Sequence, residues 1–270
     1  MRHINSRFID DLLQGELAYF LTEVKNKRDM LSLEIRNGYI NIYYKGGNLL
    51  KITQKAKGYS FHFDAKYCKH KGGNERFDLL NRLHSSDMEA YKNNFGMMMQ
   101  EMDAWFKEHP KEERDYQHRL LVNNPEIIDI EYQICRRMRL DMLLYSQGKL
   151  MIVENKYGTG AIGGTAGISK HYSDICEVIN DPKLLEEMID SVCHISEAKK
   201  ALGLTSTAIQ QTDIKSVEIL FLLANYNPRS QSLANEVNNM TESVSASVLM
   251  LSGEKNKVDV SKRKKLFVEV

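Results

Sequence analysis

The stretch that decides the fold is RLDMLLYSQGKLMIVENKYG, residues 139–158. Two apolar runs flank Gln147-Gly148, and a glycine in a two-residue loop is typical of a β-hairpin because it tolerates a positive φ. If Gln147 and Gly148 form the loop, facing residues are symmetric about it. Asp141 and Glu154 then lie opposite each other on one face of the hairpin, with Cβ atoms ~5 Å apart. The hairpin therefore predicts two like charges in contact.

Strand alternation places Lys156 on the same face as Glu154 and turns Asn155 to the other face. Two carboxylates this close favour protonation of one of them unless a cation neutralises the pair. Lys156 supplies one positive charge. Mg²⁺ would neutralise the pair better, because it takes oxygen ligands and often binds through only one or two carboxylates. The competing interpretation is a surface salt bridge among Asp141, Glu154 and Lys156.

The segments around the hairpin indicate helices mixed with strands. Pro110 suits the first turn of a helix, and EILFLLAN (218–225) is continuously apolar, as in a strand that is buried on both faces. The pattern predicts an α/β (α+β) fold with a mixed central sheet flanked by helices. In chain order it predicts a helix from 110, strands at 126–134, 140–145 and 150–156, helices near 168–179 and 182–201, a strand at 218–225, a helix near 230–240 and strands near 244–251 and 265–270.

The first part of the chain has a different pattern. FIDDLLQGELAYFLTEVKNKR (8–28) is amphipathic with helical spacing, and Gly46-Gly47 predicts a hairpin turn. Ser86 and Glu89 form a capping box for a helix that runs to about His109. The strands are predicted at 31–36, 39–45, 48–53 and 59–64, followed by a basic loop at 65–84. We therefore predict an N-terminal helix and antiparallel meander at 1–84, for recognition or regulation, and a second domain at 85–270.

Asp141, followed after twelve residues by Glu154-Asn155-Lys156 on a hairpin behind an acidic helix, resembles the PD-(D/E)XK nuclease superfamily. The resemblance covers about 110–226 and implies a restriction-endonuclease-like core. It departs from the family pattern at Leu140, where a proline often precedes the aspartate.

The resemblance also implies the roles of the site residues. Asp141 and Glu154 would bind Mg²⁺ or Mn²⁺ together with a main-chain carbonyl near Asn155, and Lys156 would serve the attacking water. Glu113 would supply a further acid, with Glu112 as its rival. Gln117 shares the helix face of Glu113 and is a candidate for substrate contact.

Other side chains near the motif are candidates for substrate contact. Arg139 lies beside Arg136 and Arg137 between two core strands, where phosphate contact is plausible. Lys170 and His171 follow a glycine-rich loop that leads into a helix N-terminus, a place that suits phosphate. Capping or packing is the competing interpretation for His171. Glu131 is either a third acid near the metal or the solvent side of an edge strand.

Composition limits the function classes. The formal net charge is +1, so an anionic partner must be bound by local patches. The four cysteines form no CxxC pair, as expected in a reducing compartment. No apolar run approaches the ~18 residues of a membrane span. We therefore expect a soluble cytoplasmic protein that has no membrane partner.

Together these patterns predict a metal-dependent nuclease that hydrolyses nucleic acid, with a DNA endonuclease of restriction, repair or phage defence as the favoured form. Two alternatives stay open. One is a catalytically silent nucleic-acid-binding module, and the other is a regulatory subunit of a defence or repair complex. Double-strand cutting would favour a homodimer, and the N-terminal domain could also bind a partner protein.

Overall fold

The computed structural model describes residues 1–74, 76–134, 138–164, 167–241, 243–252 and 256–267. The chain forms two compact units. The N-terminal unit consists of Arg2–His118 and Glu197–Thr207, and the hairpin unit consists of Met1, Arg119–Ser196 and Ala208–Val270. Helices α5 (Glu112–Asn123) and α7 (Pro182–Ala201) each contain a boundary between units.

The N-terminal unit is built on a four-stranded antiparallel sheet in the order β1-β2-β3-β4. Tyr91 of the long helix α4 donates a hydrogen bond of 3.0 Å to the main-chain oxygen of Phe61, and the two rings stack. The elements are α1 (Ser6–Leu13), α2 (Ala18–Asn26), β1 (Leu31–Ile35), β2 (Tyr39–Tyr44), β3 (Gly47–Gln54), β4 (Tyr59–His62), α3 (Arg76–Leu83) and α4 (Met88–Glu108). The predicted helix and meander are therefore present.

Three details of this unit differ from the prediction. The helix predicted over 8–28 is two helices, α1 and α2, because the chain turns between Leu13 and Ala18. The segment 65–84, predicted as a loop, contains α3. Helix α4 begins after Asp87, whose carboxylate accepts the main-chain N–H of Ala90, so Asp87 is the N-cap rather than Ser86.

The hairpin turn between β2 and β3 is shifted by one residue from the predicted Gly46-Gly47. Its loop is Lys45-Gly46, both with positive φ, and Gly47 already pairs with Tyr44. A Cβ atom at Gly47 would lie 2.8 Å or less from atoms of Tyr67, Met102 and Phe106. Gly47 is therefore required for close packing rather than for the turn.

The hairpin unit contains a six-stranded mixed sheet in the order β10-β9-β8-β7-β6-β5. Strands β7, β8 and β9 are parallel, whereas β5, β6 and β7 are antiparallel. The strands are β5 (Ile127–Ile134), β6 (Met138–Ser146), β7 (Lys149–Tyr157), β8 (Ser216–Ala224), β9 (Ala246–Leu251) and β10 (Lys264–Lys265), and the unit also holds α6 (Ile168–Asn180) and α8 (Ser232–Asn238). The predicted mixed α+β fold is confirmed.

The β6–β7 hairpin has the predicted register. Ser146 pairs with Lys149, and the pairing continues to Met142 and Val153. Gln147 and Gly148 form the loop with φ of 51° and 79°, the left-handed conformation that such a turn requires. Strand β8 is fully buried from Ile219 to Ala224, as its apolar sequence predicts. The last predicted strand is shorter than 265–270, since β10 ends at Lys265, and residues 268–270 lie outside the described part of the chain.

The boundary between the compact units also differs from the predicted domain boundary after residue 84. Helix α4 packs against α2 through Phe95 and Phe20, whose ring centroids are 5.7 Å apart, and against strand β4 through Tyr91 and Phe61. The N-terminal unit therefore extends to His118. None of the helices in the described ranges is both long enough and apolar enough to cross a membrane.

Candidate functional site

The pairing of β6 with β7 ends where the two acids lie. The last pair in register is Met142 with Val153, although both strands continue beyond it. In an uninterrupted ladder the next hydrogen-bonded pair would be Leu140 with Asn155. Instead, the main-chain N–H of Asn155 donates to the Asp141 carboxylate at 2.9 Å. A side-chain carboxylate thus takes the place of a main-chain acceptor, and Asp141 lies against the main chain of the ENK motif.

Glu154 and Lys156 form a buried ion pair. The Lys156 ammonium donates to Glu154 Oε1 at 3.0 Å, and both residues are at least nine-tenths buried. This contact confirms that Glu154 and Lys156 share a face. It is incompatible with the competing interpretation of an exposed salt bridge, because surface pairs keep their charges in water.

His171 is a further partner of Glu154. Its Nδ1 lies 3.1 Å from Glu154 Oε1, so the carboxylate meets both Lys156 and the imidazole through one oxygen atom. His171 is in the first turn of α6, the helix that follows β7. Sequence spacing could not identify this contact, because the face that a crossover helix turns to the sheet is decided by packing. His171 is therefore brought to the predicted site, whereas its role in phosphate contact stays a prediction.

The other candidates for substrate contact have partners of their own. Arg139 is about two-thirds exposed, and its guanidinium lies 3.6 Å from the Glu131 carboxylate. Lys170 forms an ion pair with Asp174, one turn further along α6. Arg136 and Arg137 lie outside the described residues.

Glu131 lies next to the site in an unusual backbone conformation. It falls between the pairs Ile130–Met142 and Tyr132–Leu140, and so is opposite Asp141 on the edge strand β5. Its φ of 48° is uncommon for a non-glycine residue in a strand, and such outliers cluster at functional sites. The β5–β6 register therefore brings a further acidic residue, on the neighbouring strand, close to the position of Asp141.

Glu113 and Gln117 lie in the part of α5 that belongs to the N-terminal unit. Glu113 and its rival Glu112 are exposed, and Gln117 is half-buried. The assignment of Glu113 as the further acid of the site stays a prediction.

The glycine-rich loop before α6 meets a carboxylate from another helix. Glu236 of α8 accepts hydrogen bonds from the main-chain N–H and the hydroxyl of Ser169, at 3.1 Å and 2.5 Å. A Cβ atom at Gly167 would lie 2.9 Å from the same Glu236 oxygen. The start of α6, where the sequence suggested a phosphate, thus holds an anionic side chain of the protein itself, which suits the positive end of a helix.

Asp141 and Glu154 are the side chains at the end of the β6–β7 pairing whose oxygens could hold a hard divalent cation. Asp141 and Glu154 provide carboxylate oxygens, and the main chain of Asn155 lies beside Asp141. Mg²⁺ is often held by one or two carboxylates and several waters. Among the described residues, no group of three or more His, Cys, Asp and Glu side chains is arranged to hold a metal. A cation here would therefore complete its coordination with water and substrate oxygens.

Asn155 is buried with an unsatisfied side chain. It is 1% exposed, and within the described part of the chain neither its carboxamide oxygen nor its nitrogen has a hydrogen-bond partner. Burying such groups without partners costs ~1–3 kcal/mol. The middle residue of the ENK motif is therefore poorly optimised for stability.

We predict that Asn155→Leu, a near-isosteric change, stabilises the protein by ~1–2 kcal/mol, because it removes the unpaired polar atoms. Asn124→Leu is the matched control. Asn124 is equally buried, but its amide donates to the main-chain oxygens of Leu120 and Asn256 and accepts from Val258. That change should destabilise by ~2 kcal/mol. Urea unfolding measures both, and a loss of stability in Asn155→Leu would mean that the carboxamide has a partner in solution.

No family model matches this sequence, and the searches of curated proteins and of solved structures also found no match. A function can therefore be proposed only from the chain's own residues and their geometry.

Proposed function

We propose that the protein is a metal-dependent nuclease that hydrolyses phosphodiester bonds in nucleic acid, with DNA as the favoured substrate and endonucleolytic cutting as the favoured mode. The observation that carries the proposal is the arrangement at the hairpin fork, the place beyond Met142 and Val153 where the β6–β7 pairing ends. Asp141 contacts the main chain of the ENK motif, and Glu154 and Lys156 form a buried pair. Charged groups are kept out of water only at a cost, and a catalytic site is one reason to keep them there.

Each residue has a defined part in this proposal. Asp141 and Glu154 would hold Mg²⁺ or Mn²⁺, which when bound supplies positive charge to the phosphate oxygens. Lys156 would orient the attacking water and offset the negative charge that develops on the phosphate. His171 would keep the Glu154 carboxylate in place, because it approaches the same oxygen atom from α6. Water and substrate oxygens would complete the coordination of the metal.

A second candidate function is a binding module that does not cut. The Lys156 ammonium already pairs with Glu154, so the carboxylate is partly neutralised without any metal, and His171 contacts the same oxygen atom. In addition, the hairpin unit contains sixteen basic and eighteen acidic residues, a formal net charge of −2. Proteins that bind nucleic acid strongly usually have a basic surface. The same observations favour a regulatory subunit, in which a partner protein binds the nucleic acid.

The test is cleavage of plasmid, linear duplex and single-stranded DNA, and of RNA, by the full chain with Mg²⁺, Mn²⁺ or EDTA. We expect cutting that needs metal and falls by at least ~10³-fold in Glu154→Ala, as is usual when a catalytic group is removed. Lys149→Ala is the matched control, because Lys149 begins the same strand and pairs with Glu218 far from the fork.

The outcomes separate the candidates. Metal-dependent cutting that Lys149→Ala retains and Glu154→Ala loses supports the nuclease. Nucleic-acid binding without cutting supports the silent module. If the wild type neither cuts nor binds Mn²⁺, as measured by calorimetry, then the hairpin holds a structural ion pair and the nuclease proposal fails.

A further inference from the structure

Helix α3 presents an apolar ridge to solvent. Leu79 and Leu83 lie one turn apart and are 48% and 67% exposed. Exposed Met97 of α4 lies nearby, since the guanidinium of Arg76 contacts its sulfur at 2.8 Å. Isolated exposed leucines are ordinary, but a contiguous apolar ridge marks an interaction surface.

A groove of about 220 Å³ lies beside this ridge, between α3 and α4. Its apolar wall comes from Phe77, Leu79 and Leu80, and its polar rim comes from Arg76, His84 and Asn94. The surface thus carries both projecting leucines and a depression next to them. The ridge and the groove are here called the α3 surface, and all of it belongs to the N-terminal unit.

We propose that the α3 surface binds a second copy of the same surface, so that two chains form a dimer with two-fold symmetry. In such a dimer the two α3 helices run antiparallel, and Leu79 of one copy meets the partner's Leu83. A two-fold contact requires a surface that is complementary to itself. Leu79 and Leu83 meet this requirement, because the antiparallel arrangement places both leucines of one copy against the same two leucines of the other.

The charges on α3 favour the same arrangement. Asp78 and Arg82 lie one turn apart on the flank of the ridge and pair with each other at 3.2 Å, with both side chains more than half exposed. In the antiparallel pair Leu79 lies opposite the partner's Leu83. Asp78 is then two residues away, along the helix axis, from the position that faces the partner's Arg82. Two residues correspond to ~3 Å, so each carboxylate can pair with a guanidinium of the other copy.

The expected affinity is modest. A helix of eight residues is ~12 Å long, so the contact lies below the ~800 Å² per partner of a stable interface. We therefore expect a dissociation constant in the micromolar range, on the order of 10 µM.

The test is sedimentation velocity of the full chain between ~1 and ~200 µM, a range that brackets the expected dissociation constant. The mass should rise from that of the 31.1 kDa chain towards twice that value. Leu83→Glu should remain monomeric throughout, with a dissociation constant raised by at least tenfold. Leu13→Glu is the matched control, because Leu13 is an exposed leucine on α1 of the same unit. It should dimerise like the wild type.

A charge exchange tests the register. Asp78→Arg and Arg82→Asp each bring like charges together and should weaken the dimer, whereas the double exchange should restore it. Circular dichroism at the same concentrations shows whether each variant is folded. A wild type that stays monomeric at ~200 µM overturns the proposal, as does a dimer that Leu83→Glu leaves unchanged or one that is indifferent to the charge exchange.

Discussion

Lys156→Met is expected to lower the free energy of unfolding by about 3 kcal/mol and to abolish cleavage, because it leaves the Glu154 carboxylate buried without its ammonium partner. The double variant Glu154→Gln/Lys156→Met should regain most of that stability. Both side chains are then neutral, and replacing a whole buried ion pair is often neutral or stabilising. The double variant should nevertheless show no cleavage.

The measurement is urea unfolding alongside the plasmid assay. Lys149→Met is the control, since Lys149 is 38% exposed and its pair with Glu218 should contribute less than ~1 kcal/mol. If Lys156→Met is as stable as the wild type, the Lys156 ammonium does not stabilise the buried Glu154 carboxylate in solution. If the double variant cuts nucleic acid, the proposed site is wrong.

Lys199→Met is expected to destabilise the protein by about 3 kcal/mol through a second buried ion pair. Lys199 donates to the Glu34 carboxylate at 2.7 Å, and Glu34 is only 1% exposed. The pair joins residues that are 165 positions apart in sequence, within the N-terminal unit. Removing Lys199 takes away the ammonium that neutralises the buried Glu34 carboxylate, and breaking a buried ion pair in this way is strongly destabilising.

Lys200→Met is the matched control, because Lys200 is the exposed neighbour of Lys199 at the end of the same helix. It should change the free energy of unfolding by less than ~0.5 kcal/mol, as is usual for surface substitutions. The double variant Glu34→Gln/Lys199→Met should recover most of the loss. Equal stabilities of Lys199→Met and Lys200→Met would show that the buried pair contributes nothing.

The core of the site was predictable from local patterns. Strand alternation and the Gln147-Gly148 turn determine which residues face each other, and both are properties of neighbouring residues. The hairpin register, the shared face of Glu154 and Lys156 and the buried strand β8 follow from them. The mixed α+β class follows in the same way from alternating helical and strand patterns.

Local patterns misplaced the finer boundaries. Asp87 caps α4, although Ser86 with Glu89 had the stronger sequence signal. Gly47 pairs with Tyr44 instead of forming the β2–β3 turn, and a Cβ atom there would meet Tyr67, Met102 and Phe106. The Asp87 cap is itself a local contact with Ala90, whereas the packing around Gly47 involves residues distant in sequence.

The sequence by itself determined the hairpin, its register from Ser146–Lys149 to Met142–Val153 and the class of fold. Only the tertiary structure decided what Asp141 and Glu154 contact. It brought His171 to Glu154, Glu236 to the start of α6 and Lys199 to Glu34, and it ended the β6–β7 ladder at the Asp141 carboxylate. Periodicity and turn chemistry act over a few residues, whereas such contacts depend on which helix faces pack against which strands. A single sequence carries no local signal for that packing.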